Sequence, residues 1–142
     1  MRIKPHHPNF KVPTKGSSAA GAYDLYMPEG GTLYPGDSVQ VFDLGFSAQL
    51  PDNHVGLILP RSGKGAKYGL DLNNTCGVID ADYRGPWLAY LRMKTSATRP
   101  LNWLVGERLL QVLVVPVTEV DIEIVDELPE TDRGEGGFGS SG

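Results

Sequence analysis

One short stretch, Gly77 to Gly85, concentrates side chains that could carry out chemistry: Asp80, Asp82, Tyr83 and Arg84. A carboxylate placed next to a reacting group can act as a general base toward water. The same residue types are also common at the tip of a β-hairpin, where Asp bonds its own backbone and tolerates turn geometry. The stretch therefore has two interpretations, a catalytic loop and an ordinary turn.

The neighbouring elements are predicted to position this stretch. Val78 and Ile79 are β-branched and predict a strand that leads into it. The apolar run Val55 to Leu59 predicts a buried central strand. This run ends at Pro60 to Gly65, a loop with Arg, Ser, Lys and two glycines. The loop could bind phosphate oxygens, and its composition is equally typical of a solvated basic turn. Ala66 to Leu70 predicts one helical turn.

Two further segments predict strands in the second half of the chain. Trp87 to Met93 continues after the central stretch, and Leu109 to Val115 is largely apolar except for Gln111. A buried amide must be hydrogen-bonded, so Gln111 either stabilises the core or reaches into a site. Val117 to Leu128 alternates acidic and apolar residues and predicts a last strand.

Length and composition favour a single β-rich domain. The chain has 142 residues with Gly 18 and Pro 11, and turn signals recur about every ten residues, as in a sandwich or a jelly-roll barrel. The net charge of -4 excludes a duplex nucleic-acid binder, which needs a basic face. With one cysteine, Cys76, no long apolar run and no leader pattern, we expect a cytoplasmic protein that does not contact membranes.

The end of the chain has a different composition. Residues 1–128 are predicted to form the β domain, and residues 129–142 a flexible arm. From Arg133 onward half of the residues are glycine, which favours a disordered terminus. A single Arg, a single Phe and two Ser on such a backbone also suit an arm that closes over a bound nucleotide.

Five segments in order resemble the five motifs of the trimeric dUTP pyrophosphatases, or dUTPases. They are Ala19 to Leu25, Pro60 to Gly63, Gly77 to Gly85, Gly106 to Gln111 and Arg133 to Gly142. The resemblance implies an all-β, distorted jelly-roll barrel with at most one short helix. It also implies a homotrimer with three shared active sites and the Mg²⁺-dependent hydrolysis of dUTP to dUMP and diphosphate. Such an enzyme lowers dUTP and supplies dUMP for dTTP synthesis.

The resemblance implies roles for residues at the nucleoside end of the site. Asp80 would orient and deprotonate the attacking water. Tyr83 would lie under the deoxyribose and leave no room for a 2′-hydroxyl. Uracil would pair with the backbone around Gly77, Val78 and Ile79, with Asn74 alongside.

At the phosphate end the resemblance implies a second group of residues. Gln111 would hold a phosphate or the nucleophilic water, and Arg133 would reach the γ-phosphate. The triphosphate itself would hold most of the Mg²⁺ coordination, and Asp24 would touch the ion only through water or act structurally. The other phosphate contacts would come from Arg61, Ser62, Gly63, Gly139, Ser140 and Ser141, while Phe138 would stack on uracil.

Two other functions remain open on the same resemblance. A dCTP deaminase, or a bifunctional deaminase and dUTPase, needs an added Glu base beyond the third motif, and Trp87 to Met93 contains no acidic residue. A non-catalytic nucleotide-binding regulator would lack the base or the arm, and both are present in this sequence.

Overall fold

The computed structural model describes residues 1–137, which form eleven strands and one helix. Within these residues, no helix has the length and the apolar character that a membrane crossing requires. The elements are β1 Arg2–Pro5, β2 Tyr23–Tyr26, β3 Gly31–Leu33, β4 Gln40–Asp43, β5 Phe46–Gln49, β6 His54–Pro60, α1 Ser62–Tyr68, β7 Leu70–Leu72, β8 Gly77–Ile79, β9 Leu88–Met93, β10 Leu101–Trp103 and β11 Arg108–Pro116.

The largest sheet has four antiparallel strands in the order β2-β11-β6-β8. Its centre is formed by β6 and β11, which pair from Leu110↔Pro60 to Pro116↔His54. The predicted central strand at Val55 to Leu59 is thus confirmed. A short strand, β8, forms one edge of this sheet, with Gly77 opposite Ile58 and Ile79 opposite Gly56.

Three smaller sheets complete the fold, in the orders β1-β5, β10-β3 and β4-β9-β7. All the described pairings are antiparallel. The described strands remain in separate sheets and do not close into a continuous barrel. The β-rich architecture with one short helix agrees with the predicted fold class.

The core lies between these sheets and is rich in leucine and aromatic residues. Phe46 packs on Phe10 and on Trp87, with ring centroids 5.3 and 4.8 Å apart. Tilted aromatic pairs of this kind contribute about 0.5–1.5 kcal/mol beyond the area that they bury. Since Trp87 also bonds the backbone of Leu44 and Phe46, it anchors the end of the Gly77 to Gly85 stretch to the core.

The helix differs from its predicted position. We expected a loop through Gly65 and a helical turn from Ala66, but α1 already begins at Ser62. Gly63 and Gly65 have low intrinsic helix propensity, which argued against this start in the sequence. The helix ends where Gly69 adopts a left-handed conformation with φ 73° and donates its amide to the Gly65 carbonyl.

The predicted last strand at Val117 to Leu128 is wrong for the single chain. No strand is assigned to this segment, and Ile122 and Ile124 are 91% and 97% exposed. The alternating pattern is that of a strand, but a strand also needs an edge to pair with. The apolar side chains of this segment are therefore exposed to solvent in a single copy of the chain.

Candidate active site

A cavity of about 330 Å³ opens beside the edge strand β8. Six of its lining residues were predicted from the sequence, five as nucleoside contacts and Asp80 as the general base, and three others were not predicted. The predicted group is Asn74, Gly77, Val78, Ile79, Asp80 and Tyr83, and the unpredicted group is Pro86, Leu88 and Tyr90. The structure thus brings these six predicted residues together around one cavity.

Two features of β8 shape this cavity. Its side chains alternate between the core and the surface, and the strand lies at the edge of the sheet. Ile79 points into the core, whereas Val78 is exposed on the cavity side. A Cβ at Gly77 would lie 3.1 Å from the Ile58 Cβ, so a side chain there would be crowded against the neighbouring strand. Among residues 1–137, β8 pairs with β6 alone, so its other edge presents backbone N–H and C=O groups without a strand partner.

The turn after β8 is held by its own hydrogen bonds. The Tyr83 amide donates to the Asp80 carbonyl at 3.2 Å. The Arg84 guanidinium donates to the carbonyls of Ala81 and Tyr83 at 2.7 and 3.1 Å. Asp80 itself is exposed at the cavity wall. The turn therefore presents the Asp80 carboxylate on a backbone held by hydrogen bonds within the turn.

A second group of predicted residues surrounds the buried carboxylate of Asp24. Asp24 is 7% exposed, and its two oxygens contact different arginines. Arg61 Nε lies 2.7 Å from Oδ1, and Arg108 donates to Oδ2 at 3.0 Å. Asp24 therefore holds Arg61 and Arg108 side by side through ion pairs with both of its oxygens.

Gln111 lies in the same place, since it pairs with Asp24 on β2 and with Leu59 on β6. Its side-chain amide donates to the Pro60 carbonyl at 3.2 Å. This bond holds the chain immediately before Arg61. The structure thus places Gln111 at the edge of the second group, where it supports the backbone and remains half-buried.

Lys64 forms an ion pair that links α1 to the turn before β11. Its Nζ lies 3.2 Å from Glu107 Oε2, and the other oxygen of Glu107 accepts the Leu104 amide at 2.9 Å. The hydrogen bond from Leu104 lowers the pKa of the Glu107 carboxyl; partial burial raises it, and the Lys64 ammonium lowers it further. Lys64 thereby connects the Ser62 and Gly63 segment to the Arg108 segment.

We expect the Glu107→Gln variant to lose stability only above acidic pH. A lowered pKa means that folding favours the charged carboxylate, so this stabilisation is present above about pH 4.3 and is lost as pH falls through the lowered pKa. Since the Glu107 side chain is 42% exposed, the effect is below about 1 kcal/mol. Thermal unfolding should show that the wild-type Tm exceeds that of the variant by a few degrees at pH 7, and that this difference disappears as the pH falls through the lowered pKa. A gap that does not depend on pH would contradict this role.

The remaining predicted residues lie toward the end of the chain. Arg133 is exposed, and its Nε donates to the Gly136 carbonyl at 2.8 Å. It is not among the residues that line the β8 cavity. The other predicted residues of the arm lie outside the described residues, namely Phe138, Gly139, Ser140 and Ser141.

The described residues do not include a ready-made metal site. Within residues 1–137, no group of three His, Cys, Asp or Glu side chains is placed to hold an ion. The arginines engage both oxygens of Asp24.

The two groups of site residues lie toward opposite ends of β6. Asp80 follows Ile79, which pairs with Gly56, whereas Arg61 follows Pro60 at the other end of the strand. With a rise of about 3.3 Å per residue, roughly 17 Å of strand separates Gly56 from Arg61. Neither Arg61 nor Ser62 lines the β8 cavity. One copy of the chain therefore holds two separate groups of predicted site residues.

Comparison with known proteins identifies the family. A family model described as dUTPase matches residues 8–142. The chain belongs to the dUTPase family. Its relatives include the deoxyuridine 5'-triphosphate nucleotidohydrolase of Pseudomonas fluorescens, 41% identical over 138 residues, or 94% of this chain and 88% of the relative. The enzyme of the same name from Mannheimia succiniciproducens is 39% identical over 136 residues, with the same shares of both chains.

Solved structures show that this dUTPase-family chain also shares the fold. The dUTPase of Staphylococcus bacteriophage 80alpha, determined with dUPNHPP, matches with a TM-score of 0.87 at 24% sequence identity. The match covers 99% of this chain and 97% of the phage chain. The predicted jelly-roll fold class is confirmed by this likeness.

Several residues of this dUTPase-family site were missed in the sequence. Leu88 and Tyr90 lie on the exposed face of β9, whose residues alternate between exposed and buried; this alternation was a usable signal. Arg108 was visible in the fourth motif, and the buried Asp24 requires a cation beside it. The bond between Lys64 and Glu107 has no signal in the sequence, because 43 residues separate its partners.

Proposed function

We propose that this chain hydrolyses dUTP to dUMP and diphosphate by attack of a water molecule at the α-phosphate. The observation that carries the proposal is the β8 cavity, in which the Asp80 carboxylate and the Tyr83 ring lie beside an open strand edge. In the cytoplasm this reaction lowers dUTP and supplies dUMP for dTTP synthesis. The relatives' name, deoxyuridine 5'-triphosphate nucleotidohydrolase, agrees with the same chemistry.

The open edge of β8 supports the recognition of uracil. Uracil presents a carbonyl, an N–H and a second carbonyl in a row, which complement backbone N–H and C=O groups at Gly77 to Ile79. A backbone that is already paired to β6 cannot rearrange to accept the reversed donor and acceptor pattern of cytosine. Unpaired polar groups in such a slot discriminate strongly between ligands. Asn74 lines the same cavity and lies alongside the base.

Asp80 acts as the general base. It accepts a proton from the water while the Oδ atoms orient the oxygen toward the α-phosphorus. The bond from phosphorus to the α,β-bridging oxygen breaks, and the diphosphate leaves with the developing negative charge. Ser62 and the Arg61 guanidinium face that charge, and Gln111 holds a phosphate oxygen or the water.

Mg²⁺ bound to the triphosphate would neutralise part of the phosphate charge. The chain's own cations, Arg61 and Arg133, neutralise the remainder. Asp24 keeps Arg61 in position through the contact at 2.7 Å and can reach the ion only through a water molecule. The C-terminal arm adds Arg133 at the γ-phosphate, Phe138 on the uracil ring, and phosphate contacts from Gly139, Ser140 and Ser141.

We further propose that the working enzyme is a homotrimer in which different copies supply the two groups of site residues. Two observations support this arrangement. Asp80 and Arg61 lie at opposite ends of β6 within one copy. The exposed isoleucines of residues 117–128 provide an apolar surface that a neighbouring copy can cover.

A substrate panel tests the proposed activity. The chain is incubated with Mg²⁺ and dUTP, dCTP, dTTP or UTP, and both diphosphate and ammonia are measured. Diphosphate released from dUTP in clear preference to the other nucleotides is expected. Ammonia released from dCTP would indicate the deaminase instead, and binding of dUTP without turnover would indicate the regulator.

A further inference from the structure

The ring of Tyr83 lies where a side chain at position 85 would be. A Cβ built on Gly85 would be 2.3 Å from the Tyr83 hydroxyl, and 2.5 and 2.9 Å from Cζ and Cε2 of the same ring. Contacts this short do not occur between non-bonded atoms. The absence of a side chain at position 85 therefore makes room for the ring.

The hydroxyl of the same ring is tied to the next residue. Tyr83 Oη donates to the Pro86 carbonyl at 3.1 Å. The proline ring restricts φ of Pro86, and the following residue, Trp87, is fully buried and bonded through its backbone to Leu44 and Phe46. The acceptor is thus attached to the rigid core, although the ring itself is exposed.

These contacts fix the Tyr83 ring at the wall of the β8 cavity. Tyr83 and Pro86 both line the cavity with Asp80. The Tyr83 side chain is 42% exposed, so burial does not hold it in place. The open space over Gly85 and the bond to Pro86 are the two features that define its position.

We propose that Gly85 and the Pro86 carbonyl are positioning groups that hold the Tyr83 ring as the floor of the sugar pocket, and that they thereby set the preference for deoxyribonucleotides over ribonucleotides. The inference rests on the proposed function. A ring that is held by both contacts cannot move away from the 2′-hydroxyl of a ribonucleotide. A ring freed from either contact can move away and make room for ribose.

Two variants and one control test this inference in the full-length chain. Gly85→Ala displaces the ring, which can swing into solvent without unfolding the domain because it is largely exposed. Tyr83→Phe keeps the ring and removes the bond to Pro86. Gly16→Ala is the matched control, since a Cβ there meets no atom within 4 Å. The measurement is kcat/KM for dUTP divided by kcat/KM for UTP, with the Tm of each protein recorded.

We expect the ratio to fall at least about tenfold in Gly85→Ala, and by about fivefold in Tyr83→Phe, which corresponds to the loss of one neutral hydrogen bond. The fall should come from improved use of UTP as well as from weaker use of dUTP, which a merely structural defect would not produce. Gly16→Ala should keep the wild-type ratio.

An unchanged ratio in folded Gly85→Ala would overturn the inference. If Gly85→Ala does not fold, an unchanged ratio in Tyr83→Phe overturns it instead. A wild-type enzyme that uses UTP as well as dUTP would also overturn it. Failure of the proposed function has a different signature, because the wild-type chain would then leave dUTP intact.

Discussion

Replacing Asp80 by Asn is expected to lower kcat for dUTP by about 10²–10⁴-fold, the range over which general bases contribute. The amide has nearly the same shape as the carboxylate but cannot accept the proton of the attacking water. Because Asp80 is exposed at the cavity wall, the substitution leaves no buried group without a partner. We expect the fold and the affinity for a non-hydrolysable dUTP analogue to remain within about threefold of wild type.

The neighbouring carboxylate provides the control for this prediction. Asp82 is two positions along the same turn and is exposed, but it does not line the cavity. Asp82→Asn changes the charge of the turn by the same amount and should leave kcat almost unchanged. Equal losses in both variants would assign the effect to the charge of the turn. Full activity in Asp80→Asn would remove Asp80 from the role of base.

Mixing two inactive variants is expected to restore activity. Asp80→Asn destroys the base, and Arg61→Ala removes a phosphate contact and leaves Asp24 with one arginine. If one copy supplies Asp80 and another supplies Arg61 to each site, mixed trimers contain some sites in which both residues are intact. With random assembly at equal amounts, about one quarter of the sites recover in a closed symmetric ring.

The experiment denatures the two variants together and refolds them, with each variant refolded alone as the control. The mass in solution shows whether trimers form. Recovery to about a quarter of wild-type activity supports a site shared between copies. If intact mixed trimers recover nothing, Asp80 and Arg61 must come from the same copy, and the division of the site between copies is wrong.

Most of the residues that line the β8 cavity could be predicted from the sequence because they are close together in the chain. Gly77 to Gly85 contains a strand, a turn and Asp80, and the spacing of β-branched and turn residues places them in order. The cavity combines this stretch with Asn74 just before it. For such a site, the sequence motif nearly determines the local geometry.

The rest of the site depends on tertiary contacts that local patterns do not reveal. The start of α1 at Ser62 opposes the low helix propensity of two glycines, and Lys64 bridges to the distant Glu107. The apolar residues of 117–128 have the pattern of a strand but no partner edge in one copy. Such contacts join residues far apart in the chain, and a local sequence pattern does not specify them.

Hydrolysis of dUTP in ¹⁸O-labelled water, followed by mass spectrometry of the two products, tests the central claim most directly. Attack on the α-phosphorus by a water that Asp80 has aimed transfers the labelled oxygen to dUMP and leaves the diphosphate unlabelled. The account predicts this distribution. Label found in the diphosphate would place the attack on the β-phosphorus and would contradict it.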